Sequence, residues 1–346
     1  MDDRLQHTIA EHSMSAGTYV MGDDLPNRRK AIGALAIPAV AFLTSAVSTQ
    51  RPEIDLVRGW LPPDIESFWV NQVPFTIRAA ESIEQLYGRP TQAYAIVRLK
   101  LLNDGEFCRR LDGRKIRLVV AGGRNLRRGS DRVPTAIPDA DVVYFYFFSS
   151  PLNPSSFPRA DEILQARPVW RMVAKVYADG PSKPHNERPT RAAESWLTAI
   201  GKDLLVLAGK RETLEQTLQR MSNSSGLPAL PESLPEWAQV NRRASFWGLR
   251  HYSESAKDRD LNYPLHPSAD ALGLTVAFEA SDQRIEIRYL SPTPPLVTSE
   301  EAPPNLVSDF KVDQPQSGVW RFVSNLKERG DFPAHLAFVL MGFGEY

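Results

Sequence analysis

Short stretches of alternating hydrophobic and polar residues occur in the second half of the chain. In residues 274–278, and again in 285–289, every second side chain is a large apolar one, and Ser281 and Asp282 between them favour a turn. Such alternation gives a strand one buried and one solvated face, which is typical of antiparallel sheets. The pattern therefore predicts a pair of antiparallel strands.

Other segments are apolar without interruption and predict strands that lie deeper in a sheet. Residues 142–148, Val-Val-Tyr-Phe-Tyr-Phe-Phe, are apolar on both faces, so we expect a central strand there. Residues 115–122 and 67–77 are rich in the branched and aromatic side chains that favour extended backbone. The sheet is thus expected to extend through the first half of the chain.

A hairpin followed by a helix is predicted near the middle of the chain. Residues 196–208 contain two apolar runs separated by a turn signal at Gly201. After this hairpin, Leu214, Leu218 and Met221 follow one another at helical spacing and define one apolar face.

Two further helices are predicted at 78–87 and 91–102, the first ending at Gly88 and the second carrying an apolar stripe. Together, these elements predict an α+β fold, with a mainly antiparallel sheet and helices packed on one of its faces.

An uncharged apolar segment near the N-terminus follows directly after basic residues. Arg28, Arg29 and Lys30 precede residues 31–47, which contain no charged side chain. A helix of this length measures about 25 Å, close to the ~30 Å thickness of the hydrocarbon core. The basic, apolar and small-residue sections in this order predict a signal peptide or a single membrane anchor at 28–48. The paired arginines are similar to a twin-arginine signal.

The charge bias around this segment predicts its orientation. Basic residues precede it, and Arg51 alone follows it closely, which places the N-terminus in the cytoplasm. We expect residues 1–27 to be a disordered n-region, and a start at Met14 or Met21 would shorten it to a more ordinary length. Residues 55–346 are then an extracytoplasmic, periplasmic domain, secreted or tethered to the membrane.

Two observations suggest that this domain has two related halves. The proline-rich stretch 226–236 is a candidate linker that would divide it. On either side, Asp64–Trp69 and Asn241–Trp247 share the sequence Ser-Phe-Trp at their ends. This short echo predicts an internal repeat.

Charge and cysteine content exclude several classes of function. Lys plus Arg and Asp plus Glu each number 41 in 346 residues, so the net charge gives no reason to expect nucleic-acid binding. Cys108 is the one cysteine, which rules out an intramolecular disulfide and a multi-cysteine metal site. Residues 258–262 imitate the first half of a calcium loop, but Tyr263 stands where that loop needs glycine. We therefore predict no metal and no cofactor.

The segment with the most chemically active side chains is Arg250-His251-Tyr252. His251 belongs to a predicted strand and shares a face with Trp247 and Leu249, which is typical of a hydrogen-bonded core histidine. If a catalytic site exists, Arg250 and His251 are its candidate residues, with Asp258 and Asp260 as candidate neighbours.

Three segments resemble a loose group of uncharacterised exported bacterial proteins that open with a Leu-Pro-x-Asp turn. They are Leu61–Asp64, Gly122–Arg127 and Val240–Tyr252, and the likeness covers about residues 55–346. It implies an extracytoplasmic setting and an α+β fold, and it implies no activity.

The sequence therefore favours an exported, non-catalytic protein, either a binding module or a component of an envelope assembly. Its partners would be envelope proteins, and it would contact the membrane only through residues 31–47. The alternative is an extracytoplasmic hydrolase with catalytic residues dispersed around Arg250, His251 and Asp258. An enzyme predicts a pocket at those residues, whereas a binding module predicts an exposed groove or sheet edge.

Overall fold

The structure, a computed structural model, describes ten ranges of residues. These are 51–77, 106–124, 142–176, 191–223, 227–252, 265–266, 270–282, 284–294, 296–297 and 310–325. The chain forms two compact units, Met1–Val47 and Ser48–Tyr346, and every described residue belongs to the second. The predicted n-region, the segment 28–48 and the helices predicted at 78–102 lie outside the described residues.

A single antiparallel sheet of thirteen strands forms the body of the described part. In order across the sheet, twelve strands run β14-β15-β12-β11-β9-β1-β3-β4-β8-β7-β6-β5, and β2 pairs with β3. Strands β10 and β13 form a separate pair. The strands are β1 Ser67–Asn71, β2 Phe75–Thr76, β3 Lys115–Gly123, β4 Val142–Phe148, β5 Glu162–Leu164, β6 Arg167–Val176, β7 Arg191–Ile200, β8 Leu204–Ala208, β9 Phe246–His251, β10 Leu265–His266, β11 Gly273–Glu279, β12 Arg284–Leu290, β13 Leu296–Val297, β14 Lys311–Gln316 and β15 Val319–Asn325.

Several strands coincide with the segments that the hydrophobic pattern indicated. Strand β4 has the predicted bounds and lies inside the sheet between β3 and β8. Strands β7 and β8 form the predicted hairpin, and Gly201 in its turn has a φ of +62°, a conformation that glycine adopts without steric cost. Strands β11 and β12 are the antiparallel pair expected from alternation.

The sheet has two apolar faces, which we call face A and face B. Face A is marked by Phe68, Val120 and Trp247. It packs against helices α1 (Pro52–Trp60) and α3 (Arg211–Asn223). Face B carries Trp69, Tyr144, Phe246 and their neighbours, all buried. Burying large side chains of this kind contributes roughly 1.5–3 kcal/mol each, so both faces stabilise the sheet.

The predicted fold class is wrong. An open antiparallel sheet, with free edges at β14 and β5, dominates the described residues instead of an α+β arrangement with a helical layer. The described α-helices are three and short: α1, α2 (Glu106–Leu111) and α3. The pattern concealed the two edge strands β5 and β14, because edge strands do not need a fully apolar face, and it also missed β6, which lies between β5 and β7. Among the described residues, no helix has both the length and the apolar character needed to cross a bilayer.

The two Ser-Phe-Trp sequences, which end at Trp69 and Trp247, do not occupy equivalent positions in the sheet. Strands β1 and β9 are antiparallel neighbours, with Val70 paired to Trp247. A two-fold axis relating such neighbours is normal to the sheet and preserves the face of each side chain. Trp69, however, packs on face B, whereas Trp247 packs on face A. The interpretation as two related halves therefore loses its sequence support.

Candidate functional site

Strand β9 separates the two leading candidate residues. Successive side chains of a strand point to opposite faces. His251 therefore shares face A with Trp247 and Leu249, as the sequence predicted. Arg250 points to face B, where its guanidinium carbon lies 5.6 Å from the ring centroid of Tyr252. Arg250 and His251, although adjacent in sequence, therefore lie on opposite faces of the sheet.

The remaining sequence candidates cannot be assigned to either face. Asp258 and Asp260 lie outside the described residues, as do the paired arginines Arg28 and Arg29. Tyr252, next to Arg250, is buried, and this burial raises the pKa of its hydroxyl above the ordinary value. A tyrosine in this setting stays protonated, so it acts as a hydrogen-bonding and packing group rather than as a base.

His251 is hydrogen-bonded to a carboxylate that sequence reasoning missed. Its Nδ1 lies 2.9 Å from Oε1 of Glu236, which is fully buried. In the tautomer whose proton is on Nδ1, the ring donates this bond to Glu236 Oε1. Glu236 belongs to the short 3₁₀ helix Pro235–Gln239, and nothing in that proline-rich sequence indicates a buried acid.

A glycine makes room for this carboxylate. Gly273 is paired with His251 across β9 and β11. A Cβ atom at Gly273 would overlap Glu236 Oε1 and the carbonyl oxygen of Arg250. The glycine at the start of a strand is the one local signal that another group approaches closely there.

The Glu236–His251 pair by itself does not make a catalytic or metal site. No group of three or more His, Cys, Asp or Glu side chains among the described residues is arranged to hold a metal ion. A nucleophile within hydrogen-bond reach of His251 would be needed for acyl transfer, and no such bond to its ring is found in the described part of the chain. The pair orients His251 and fastens residues 235–239 to the sheet.

Residues 227–242, which we call segment 227–242, are fastened mainly through Trp237. Two arginines contact the ring of Trp237, with guanidinium carbons 4.3 Å (Arg58) and 4.9 Å (Arg242) from its centroid. Glu232 accepts hydrogen bonds from both arginines, at 2.9 Å from Arg58 and 3.4 Å from Arg242. The hydrogen bond from Arg58 lowers the pKa of the Glu232 carboxyl.

From β11 to the β14 edge, face A carries a row of polar and charged side chains. Thr275, Arg288, Arg321 and Asp313 are paired in register across β11, β12, β15 and β14, so they form one row on face A. Arg288 Nε donates to Glu286 at 2.8 Å, and Arg321 Nε donates to Asp313 at 2.8 Å. The bond from Arg321 lowers the pKa of the Asp313 carboxyl. This wing of face A is a network of partly exposed ion pairs.

The edge next to this wing is also exposed. All six residues of β14 are exposed, including the apolar Val312, whose exposed fraction is 54%. An edge strand presents one row of unpaired backbone groups, to which another chain can add. A register shift between Asp313 and Gln316, together with Pro315, interrupts that row at one end.

The paired glycines Gly122 and Gly123 are the last two residues of strand β3. A Cβ atom at Gly122 would lie 2.6 Å from Cδ1 of Leu61, the residue that follows α1, so this glycine lets that side chain pack closely on the sheet. Arg124, after the strand, forms an ion pair with Asp64.

Comparison with known proteins identifies no family. No family model matches the chain, and no curated protein matches it. Crystal form I of TP0453 is similar at 11% identity and a TM-score of 0.39, over 82% of this chain and 96% of that one. Crystal form IV gives 9% identity and a TM-score of 0.38, over 77% and 92%. Values this low carry no conclusion about fold or function.

Proposed function

We propose that this chain is an exported extracytoplasmic protein that binds other envelope components through a sheet surface and catalyses no reaction. The observation that carries the proposal is the wing formed by β12, β15 and β14, where a row of partly exposed ion pairs on face A adjoins an exposed edge strand. An accessible polar face and a free edge are the features that a binding module uses.

The hydrolase alternative receives less support. It requires Arg250 and His251 in one pocket, and β9 directs them to opposite faces. The buried carboxylate next to His251 is consistent with an oriented histidine, but an oriented histidine also serves as a packing and fastening group. No specific observation favours a second function.

The export half of the proposal rests on residues 28–48 and is tested by fractionating cells that express the chain, with intact-mass analysis. We expect a periplasmic form that begins near Val47 or Thr49, or an uncleaved form in the membrane fraction. A full-length protein that stays soluble in the cytoplasm would contradict export.

The binding half is tested by placing a photo-crosslinking amino acid at Val312 in the native cell. Leu56, on α1, is a matched control because its exposed fraction is 53%, against 54% for Val312. We expect a discrete crosslinked adduct from position 312 that position 56 does not give. Equal labelling at both positions, or no adduct at either, would exclude this wing as the binding surface.

A further inference from the structure

Segment 227–242 crosses face A without joining the sheet. Among the described residues, one backbone–backbone hydrogen bond ties it to a distant part of the chain, from Ala229 N to Arg58 O at 3.1 Å, and a local one runs from Ala244 N to Asn241 O at 3.2 Å. Its other attachments involve side chains. Arg58 Nη2 donates to Leu230 O at 3.3 Å, and Gln72 Nε2 donates to Arg242 O at 3.0 Å. The segment can therefore leave the sheet without breaking a strand pairing.

Three unfavourable features are concentrated where the segment is attached. Leu230 is buried with a φ of +51°, a region that bulky side chains avoid. Oε2 of the fully buried Glu236 has no hydrogen-bond partner among the described residues. The same holds for Nε of Arg58, whose side chain is also buried. Each feature raises the free energy of the attached state relative to a solvated one.

Apolar contacts oppose these costs and keep the segment in place. The Trp237 ring lies 5.9 Å from Phe68 and 6.4 Å from Trp247, measured between centroids. Its Nε1 donates to Leu230 O at 2.9 Å, which ties the ring to the strained part of the segment. Trp237 and Leu230 must therefore leave face A together.

We propose that segment 227–242 is a strap that opens as one unit while the sheet beneath stays intact, and that opening uncovers the apolar surface of Phe68, Trp247 and Leu249. The strap rests on central strands, because β1 and β9 are paired with each other and flanked by β3 and β11. Its opening exposes an apolar surface that is far across the sheet from the β14 edge. Gln239 of the strap also accepts hydrogen bonds from Thr275 Oγ1 at 3.4 Å and from Arg288 Nη1 at 3.1 Å, so the strap contacts the inner end of the polar row that leads to that edge.

Hydrogen exchange of the full-length chain, followed by mass spectrometry, tests the proposal. The amides of Ala229, Trp237 and Val240 are hydrogen-bonded in the closed state, so their exchange reports opening. We expect them to exchange at least about tenfold faster than the amides of β9, because local opening needs less free energy than global unfolding.

Two variants separate strap opening from general loss of stability. Arg58→Lys keeps the charge but removes the planar group that contacts Trp237 and Leu230 O, and should accelerate strap exchange about tenfold with β9 unchanged. Glu236→Gln replaces the buried carboxyl group, whose Oε2 has no hydrogen-bond partner among the described residues, with an amide that cannot carry a charge, and should slow strap exchange severalfold. Arg211→Lys, which alters the exposed ion pair with Glu162, is the control and should change neither rate.

Equal exchange rates in the strap and in β9 would overturn the proposal, because both would then open only by global unfolding. Equal acceleration of both regions by Arg58→Lys would also overturn it, as would faster strap exchange in Glu236→Gln. Strap-specific changes in the expected directions would support it.

Discussion

At the scale of single residues, Gly273 has very little room for an added side chain. Its pairing with His251 brings it under the Glu236 carboxylate, and an added methyl group would overlap both Glu236 and the backbone of Arg250. A backbone atom cannot move aside as a flexible side chain can. The glycine is therefore required by packing.

We expect Gly273→Ala to lower the free energy of unfolding by about 1–3 kcal/mol, the usual cost of overpacking. Chemical denaturation followed by tryptophan fluorescence measures it. Gly59→Ala is the matched control, because Gly59 is in helix α1 with open space around it, and alanine there should be neutral or stabilising. Equal stability of the Gly273→Ala variant and the wild type would show that the Glu236 carboxylate is not held over Gly273.

The residue scale also shows what the sequence could and could not predict about the candidate site. The predicted strand already put His251 on the face of Trp247 and Leu249, and the same alternation implies that Arg250 faces away. Their separation was thus readable from sequence. The partner Glu236 was not, since a 3₁₀ helix in a proline-rich stretch has no periodicity that marks a buried side.

At the scale of elements, the contact between helix α1 and segment 227–242 depends on ionised Glu232. The bond from Arg58 holds the pKa of Glu232 below the ordinary value of 4.5 in the folded state. Folding therefore favours the ionised form. The resulting stabilisation is present above about pH 4.5 and is lost as the pH falls through the lower, folded-state pKa.

Glu232→Gln should remove this pH dependence. We expect a small loss of stability near neutral pH, because the Glu232 side chain is 63% exposed and its ion pairs are screened. Below about pH 4.5, the wild type should lose stability more steeply than the variant. Urea denaturation at a series of pH values measures both curves, and parallel curves would show that the Arg58–Glu232 bond contributes nothing.

Strand β14 is an edge that resists uncontrolled pairing. Lys311 and Pro315 are residues that natural edge strands use against self-association, and both are exposed. Replacing both with valine should produce concentration-dependent self-association, measurable by sedimentation velocity. Lys202→Val, in the exposed turn between β7 and β8, adds an apolar group away from the edge and should leave the sedimentation behaviour of the wild type unchanged. A double variant that also sediments as the wild type does would mean that the edge is protected in another way.

Elements with one apolar face were predictable, and elements without one were not. Strands β4, β11 and β12 follow directly from apolar runs or alternation. Strand β14, Lys-Val-Asp-Gln-Pro-Gln, has no buried side, so its sequence lacks the alternation of apolar and polar residues that would predict a strand. The predicted helical layer was wrong because the sheet also includes segments, such as β5 and β14, to which the pattern assigned no element.

At the scale of the whole molecule, the sheet is continuous across its centre. Strands β9, β11, β12, β15 and β14 follow one another on one side as β1, β3, β4, β8 and β7 do on the other. The pairing of β1 with β9 joins these two halves of the sheet. Neither half therefore has an unpaired strand edge at the centre.

This continuity predicts that the two halves of the sheet unfold together. Differential scanning calorimetry should give one transition for the sheet, with equal calorimetric and van't Hoff enthalpies. The reason is that separating the two halves would break the pairing of β1 with β9 and expose both faces of the sheet. Two resolved transitions would contradict this and would support the division near residues 226–236 that the prolines suggested.

The pairing of β1 with β9 also has a consequence for folding during synthesis. Strand β1 pairs with β9 across about 180 residues of chain, so its second edge has no partner until β9 has left the ribosome. At about 5–20 residues per second, that interval is roughly 10–40 s. During it, Phe68, Trp69 and Val70 stand on an incomplete sheet, and a chaperone or an export factor that holds the nascent chain would have this window in which to act.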